Sequence, residues 1–234
     1  MSENSTAVAI KEADGYYDQN DFQKVYDTLV KHKSDTSNCE LQWKIARAAR
    51  DLSCLSSTSK ERKKELTYEG LECAQNAVNS DDSNFSAHKW KGIMLSEVGD
   101  YEGIKKKIEN GYLIRDEFTK ASELNPNDAL CYFLLGEWSY FVSDMGWTQR
   151  QAAKVFFGTP PSSSFEEALK NFLKAEEVNS GFYVGNYVSL GKTYLKLKKK
   201  EEAKKWFQKA AEYPSENEKD DQSIAEAKKL LATL

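Results

Sequence analysis

The sequence predicts an all-α fold built as a stack of helical hairpins, and three observations carry that expectation. Near the C-terminus, Tyr187-x2-Leu190-Gly191-x2-Tyr194 is followed by Ala203-x3-Phe207-x2-Ala210. Leu190 and Tyr194, four apart, share one helical face. Gly191 lies beside them, where a missing side chain lets a partner helix come close. Parts of this pattern recur as Tyr132-x2-Leu135-Gly136 with Ala168-x3-Phe172-x2-Ala175, and as Gly92 with Phe118-x2-Ala121. Three like endings, Val78-Asn79-Ser80, Leu124-Asn125-Pro126 and Val178-Asn179-Ser180, mark three boundaries independently. With 12 Gly and 4 Pro in 234 residues, the composition argues against a loop-rich β fold.

The spacing is that of the tetratricopeptide unit, with Tyr187 standing where Trp is usual. The sequence therefore predicts a tetratricopeptide-like helical solenoid of about five helix-hairpin units, with two insertions and a C-terminal capping helix. Residues 1–8 are expected to be disordered, and 9–234 to form a single domain. In the first unit, Ala9, Ala13 and Tyr16 make one face and Phe22, Val25 and Leu29 another; Asp18 to Asp21 is the polar turn, with Asp21 as N-cap. The second unit opens with Trp43, Ala46, Ala49 and Leu52. A polar run, Ser56 to Glu65, then begins a helix or lines a loop before Tyr68, Leu71, Ala74 and Val78 resume the apolar periodicity.

The third unit has His88, Gly92 and Leu95 on its first helix and a turn at Val98-Gly99-Asp100. Its second helix is expected to run unbroken from about Tyr101 to Leu124, because Tyr101, Ile104, Ile108, Tyr112, Phe118 and Ala121 keep one apolar stripe. In the fourth unit Gly136 and Ala168 are 32 apart, against 12 between Gly191 and Ala203. The excess holds an amphipathic segment, Trp147 to Phe157, with Trp147, Ala152, Val155 and Phe156 on its apolar side. Thr159-Pro160-Pro161 stops it, and Ser163 or Ser164 caps the next helix, with Glu166 and Glu167 in its first turn. After Pro214, a last helix presents Ile224, Ala227, Leu230, Leu231 and Leu234, a face suited to covering the end of a repeat stack.

Several function classes are disfavoured. The net charge of -4 gives nucleic acid no bulk attraction. No apolar run approaches the roughly 20 residues of a membrane span, and the N-terminus has neither signal nor transit character. Cys39, Cys54, Cys73 and Cys131 are scattered without a CxxC pair and read as reduced thiols of a cytosolic protein, with neither metal nor cofactor. HExxH, P-loop, GxGxxG and GxSxG motifs are absent, so no catalytic residue is assigned. His88 reads as a packing or surface group.

What remains is binding. First-helix faces of such stacks line a groove, and the face carrying Trp43, Arg47 and Arg50 continues as Lys89, Glu137, Tyr140 and Lys192. Arg47 and Arg50 together would hold a carboxylate or phosphate bidentately; the structural alternative is an arginine stem packed on Trp43. Lysine runs at Lys60 to Lys64, at Lys105, Lys106 and Lys107, and at Lys196 to Lys205 (with Lys198, Lys199 and Lys200 at the turn) are solvated helix faces or salt-sensitive contacts for an acidic partner.

Beyond the repeat pattern, specific runs carry a family resemblance. They are Trp43-Lys-Ile-Ala-Arg-Ala-Ala-Arg50, Ala87-His-Lys-Trp-Lys-Gly-Ile93, Gly99-Asp-Tyr-Glu-Gly-Ile-Lys-Lys-Lys-Ile108, Trp147-Thr-Gln-Arg150, Thr159-Pro-Pro-Ser-Ser163 and Leu190-Gly-Lys-Thr-Tyr-Leu195. Over roughly Asp14 to Tyr213 the chain resembles the regulator of microtubule dynamics family. The resemblance implies a non-enzymatic cytoplasmic protein associated with microtubules and tubulin, at spindles and spindle poles, acting in chromosome segregation. It also implies an alternative, a phospholipid-binding or transfer domain at organelle contacts. In that reading Tyr112, Trp147, Phe156 and Phe157 wall an apolar pocket and Arg47 or Arg50 meets the headgroup. A generic peptide-binding scaffold is a third reading.

Overall fold

In a computed structural model of the chain, the described residues are 3–157 and 161–234, and they form helices without a strand. Thr159 and Pro160 lie outside the described residues, as do the side chains of Ile104, Lys107, Ala152, Phe156 and Phe157. The chain divides into two compact units, Met1–Leu124 and Asn125–Leu234.

The first unit holds three successive hairpins, α1 (Glu3–Tyr17) with α2 (Phe22–Leu29), α3 (Cys39–Cys54) with α4 (Lys60–Ser80), and α5 (Phe85–Glu102) with α6 (Ile104–Leu124). A short 3-10 turn, Val30–His32, follows α2. Each start has a local cause. The Asp21 carboxylate accepts from the Lys24 amide at 3.1 Å, as the polar turn predicts, and Asn20 takes a positive φ of 57° beside it. Asn38, Ser59 and Asn84 cap α3, α4 and α5 in the same way. The charged run Lys60 to Glu65 thus opens a helix and does not line a loop.

Three expectations for this unit are corrected. Helix α1 begins at Glu3, ahead of the Ala9 start, and Thr6 and Ala9 are already buried there. No turn occurs at Val98-Gly99-Asp100: α5 continues to Glu102, because Val98 and Gly99 are buried within it. The chain turns at Gly103 instead, with φ 84° and ψ -179°, its amide closing on the Gly99 carbonyl at 2.9 Å. That backbone region is essentially glycine's alone. The inserted length is therefore shared between α5 and α6, and α6 runs unbroken past Gly111. Of the predicted stripe, Ile108, Phe118 and Ala121 are buried, whereas Tyr101 and Tyr112 are exposed.

The second unit comprises α7 (Ala129–Asp144), α8 (Trp147–Phe157), α9 (Phe165–Val178), α10 (Val184–Lys196), α11 (Lys200–Ala211) and α12 (Glu218–Leu231). Here α7 pairs with α9 across the insertion that contains α8, and α10 pairs with α11. Ser164 and Glu167 form a capping box at the start of α9. One core joins Phe172, Val184, Leu190, Phe207, Ile224 and Ala227, with Leu230, Leu231 and Leu234 packed on it, so α12 is the expected capping helix. The amphipathic reading of α8 is corrected in part: Trp147 and Val155 face solvent, and Ala153 is the residue that packs.

The glycine signature has one physical origin in both units. A Cβ on Gly92 would lie 2.4 Å from the Phe118 ring, on Gly136 2.5 Å from Phe172, and on Gly191 2.4 Å from Phe207. Each first helix presses its bare backbone against a buried phenyl ring of the second, whatever the length of chain between them.

Candidate functional site

The α3 face carries the residues expected to hold an anion. Its Trp43 packs with Ala77, Val78 and Ala87, where α4 meets α5. Arg47 is mostly buried, its guanidinium carbon 3.7 Å from the Tyr17 ring centroid and 5.3 Å from that of Trp43. A cation–ring contact of this kind is favourable, and arginine's planar group suits it. Its Nη2 lies 3.8 Å from an Asp14 carboxylate oxygen, and its buried Nε has no hydrogen-bond partner among the described residues. Arg50 turns elsewhere: its Nε donates to Glu97 Oε1 at 2.9 Å, and Asp51 lies 3.7 Å from Nη1. Sequence spacing put both arginines on one face, but each has its own carboxylate. An anion reaching them competes with Asp14, Asp51 and Glu97.

Lys44, absent from the sequence-based set, is the most buried cation of α3. It donates to both oxygens of Asp14 at 2.7 and 2.6 Å and meets Glu40 at 2.9 Å. The Glu40–Lys44 half of this triad, four apart on a helix, was legible in the spacing; the Asp14 half crosses from α1 and was not. Lys89 lies over the Phe85 ring, 5.0 Å from its centroid.

A second buried polar group links α5 to α6. His88 Nδ1 lies 2.6 Å from Glu117 Oε2, and Nε2 lies 2.9 Å from the Asp82 carbonyl, while Lys91 pairs with the other Glu117 oxygen at 2.6 Å. Both partners of the ring are acceptors, so the imidazolium, which donates from both nitrogens, is the form that satisfies them. The hydrogen bond to Glu117 raises the His88 pKa against the opposing effect of burial, and the Asp82 carbonyl adds to the rise. For Glu117, burial pushes up, but His88 and Lys91 together hold the carboxyl below its ordinary value. The packing role expected for His88 is its role here, and its charge is part of that packing.

Tyr140 and Lys192 belong to the second unit, so the six expected groove residues do not come together within one unit. Helices α7 and α10 meet through a ladder in which the Ser189 hydroxyl donates to Glu137 at 2.6 Å and Lys196 pairs with Asp144. Lys192 is held by Glu226 of α12 at 2.5 Å. The Tyr140 ring packs edge-on against Phe165 at 5.3 Å, and burial with the nearby Asp144, Glu137 and Glu226 carboxylates pushes its hydroxyl up to about 12. Around Tyr140 this face carries carboxylates, and Lys192 and Lys196 are each paired with one of them.

The lysine runs differ in their freedom. Lys105 is exposed, and Lys106 pairs with Glu109 at 3.2 Å on α6. Lys198, Lys199 and Lys200 project at the turn between α10 and α11, all exposed and without an ion pair among the described residues. Of the residues suggested to wall a lipid pocket, Tyr112 and Trp147 are exposed, in different units, and the side chains of Phe156 and Phe157 lie outside the described residues. An open depression between α1 and α2, lined by Val8, Ala9, Glu12, Thr28, Lys31 and His32, collects none of the expected residues. Among the described residues no group of His, Cys, Asp and Glu is placed to hold a metal ion, and no helix is long and apolar enough to cross a membrane.

Comparison with known proteins adds a lineage to this geometry. A family model described as regulator of microtubule dynamics protein 1-3 matches residues 9–234. Regulator of microtubule dynamics protein 1 of Pongo abelii is 48% identical over 224 residues, which span 96% of this chain and 71% of the relative. The Homo sapiens protein of the same name is 51% identical over 191 residues, or 82% of this chain and 61% of the relative. Regulator of microtubule dynamics protein 3 of Xenopus laevis is 37% identical across 82% of this chain and 41% of its own length. Among solved structures, TTC0263, a tetratricopeptide protein of Thermus thermophilus, superposes with a TM-score of 0.65 at 13% identity, covering 95% of this chain and 98% of that one. A MamA protein does so at 0.55 and 18%, covering 96% of both chains. At such identities these structures speak to the fold alone, and the fold is the tetratricopeptide-type helical repeat.

Proposed function

The chain belongs to the regulator of microtubule dynamics family, and on that premise we propose that it is a non-enzymatic microtubule-associated protein. It acts through protein contacts on spindle microtubule dynamics and chromosome segregation, in the cytoplasm and at spindles and spindle poles. The observation that carries this reading is the relationship itself, which spans residues 9–234 and covers both insertions. The geometry supplies a means. Tubulin presents an acidic surface, and the exposed Lys198, Lys199 and Lys200 cluster offers it a local positive patch on a chain whose net charge is -4. On α6, Lys105 is exposed and Lys106 is paired with Glu109, so that run offers less.

The test is microtubule co-sedimentation of the purified chain at two salt concentrations. Binding is expected to fall as salt rises, because exposed charges are screened over about 8 Å at physiological ionic strength. Each exposed lysine contributes little alone, so Lys198, Lys199 and Lys200 are reversed to Glu together. The triple variant should keep its helicity and lose most of its binding. Failure of the unaltered chain to co-sediment at low salt would remove this reading and favour the phospholipid alternative, which native mass spectrometry of the same preparation checks.

A further inference from the structure

Helix α8 presents two large apolar side chains, with exposed Gln151 between them on the same face, that nothing in its own unit covers. Trp147 is 74% exposed and Val155 81%, the two most exposed large apolar side chains among the described residues. Eight residues apart, they stand about 80° from each other around the helix and about 12 Å along it. Exposed Lys154 adjoins them. On the far side Ala153 is buried. The helix is not loosely attached. The Arg150 guanidinium donates from Nη2 to the Val142 and Ser143 carbonyls at 2.8 and 3.4 Å, and from Nε to the Met145 carbonyl at 3.1 Å. Arginine thereby satisfies the open carbonyls at the end of α7 and fixes which way α8 faces. A buried packing helix would turn its indole inward; this one is anchored with the indole outward.

Charge narrows the occupant. From Met145 to Phe165 the sequence has no Asp or Glu, within a chain that carries 37 of them, and its cations are Arg150 and Lys154. Arg150 is used internally, which leaves Lys154 as the outward charge. A bilayer surface recruits basic clusters of about four to eight residues or an amphipathic helix rich in Lys and Arg on its polar face, and α8, with one outward lysine, has neither. A protein surface with an apolar pocket for the indole and a carboxylate at its rim fits better, since tryptophan anchors dominate protein interfaces. We propose that the Trp147–Lys154–Val155 face of α8 is the side-chain anchor that docks this chain on the acidic microtubule surface. The inference rests on the microtubule reading above and deepens it, adding a short-range apolar contact to the long-range attraction of the lysine turn.

The experiment compares the full chain with Trp147→Ala, with Trp147→Ala/Val155→Ser and with Lys154→Glu. Microtubule co-sedimentation is the first readout, with circular dichroism to confirm unchanged helicity. Because these side chains are exposed, the variants should fold as the parent does. Trp147→Ala is expected to weaken binding at least tenfold with little change in salt dependence, and Lys154→Glu, at a single exposed charge, to weaken it about twofold with a slightly flatter salt response. If the parent binds and both Trp147 variants bind equally well, this anchor is wrong while the microtubule reading stands. If the parent does not bind, both fall. Two further arms identify a different occupant and equally overturn the proposal. One is Trp147-dependent flotation with vesicles of phosphatidylcholine and phosphatidylserine in the absence of microtubule binding. The other is a dimer in analytical ultracentrifugation that Trp147→Ala dissolves.

Discussion

His88 shows how a single residue can give the fold a pH window. Its ring holds a proton more tightly in the folded chain than in the unfolded one, because Glu117 and the Asp82 carbonyl both accept from it. The stabilisation is therefore complete below the ordinary imidazole value of about 6.5 and is lost as pH rises through the higher folded value. Glu117 works in the opposite sense. Its folded pKa is lowered by His88 and Lys91 against the push of burial, so its contribution is present above the ordinary carboxyl range and lost as pH falls through the depressed value. The pair is best formed between those limits. Urea unfolding followed across pH should show stability declining on the alkaline side of the imidazole range, and His88→Gln should flatten that decline. An unchanged alkaline slope in His88→Gln would remove His88 as its source. None of this was visible in sequence: His88 and Glu117 are 29 residues apart and meet only because α5 folds back on α6.

At the scale of elements, Gly103 decides where the third hairpin bends. Its φ of 84° lies where an L side chain is strained, although a Cβ there would meet nothing within 4 Å. Gly103→Ala should thus cost about 1–3 kcal/mol through the backbone alone, seen as a lower thermal midpoint with no change in helix content. A loss well below that range would mean the bend relaxes to another residue. The bend also marks the limit of what sequence pattern conveyed. Most helices were legible, because buried faces, Asn and Ser caps and the repeated endings all point the same way. The Gly99-Asp100 pair looked like a turn because those residue types favour turns, but tertiary burial of Val98 and Gly99 keeps that stretch helical. On α8 the spacing grouped Trp147 with Val155, but it had no means of revealing that both face solvent, since an anchored helix with an outward indole has the same pattern as a buried one. For the candidate site, spacing placed Arg47 and Arg50 on one face; it had no means of revealing that Tyr17, Asp14 and Glu97 occupy them.

For the molecule as a whole, the four thiols offer a separate gauge of each unit. Cys54 is exposed, Cys39 partly so, and Cys73 and Cys131 are buried. Burial pushes the Cys73 thiol up to about 12, the Lys33 charge offsetting it only in part. Because the thiolate is the reactive form, Cys54 should react first with an aromatic disulfide at pH 8, while Cys73 and Cys131 wait for the first and second units respectively to open. Peptide mapping of the labelled protein over time checks this, and early labelling of Cys131 would contradict the packed second unit. The glycine–phenyl contacts have a different consequence, which concerns descent. The same contact closes over 26 residues from Gly92 to Phe118, 36 from Gly136 to Phe172 and 16 from Gly191 to Phe207. Lengthening such a loop from 16 to 36 residues adds only about 0.7 kcal/mol of closure entropy. Chain can therefore accumulate at the bend of a hairpin without disturbing its seam. An ancestral repeat of uniform length could acquire α8 at one bend and longer helices at another, each free to take on its own partner while the stack beneath stayed the same.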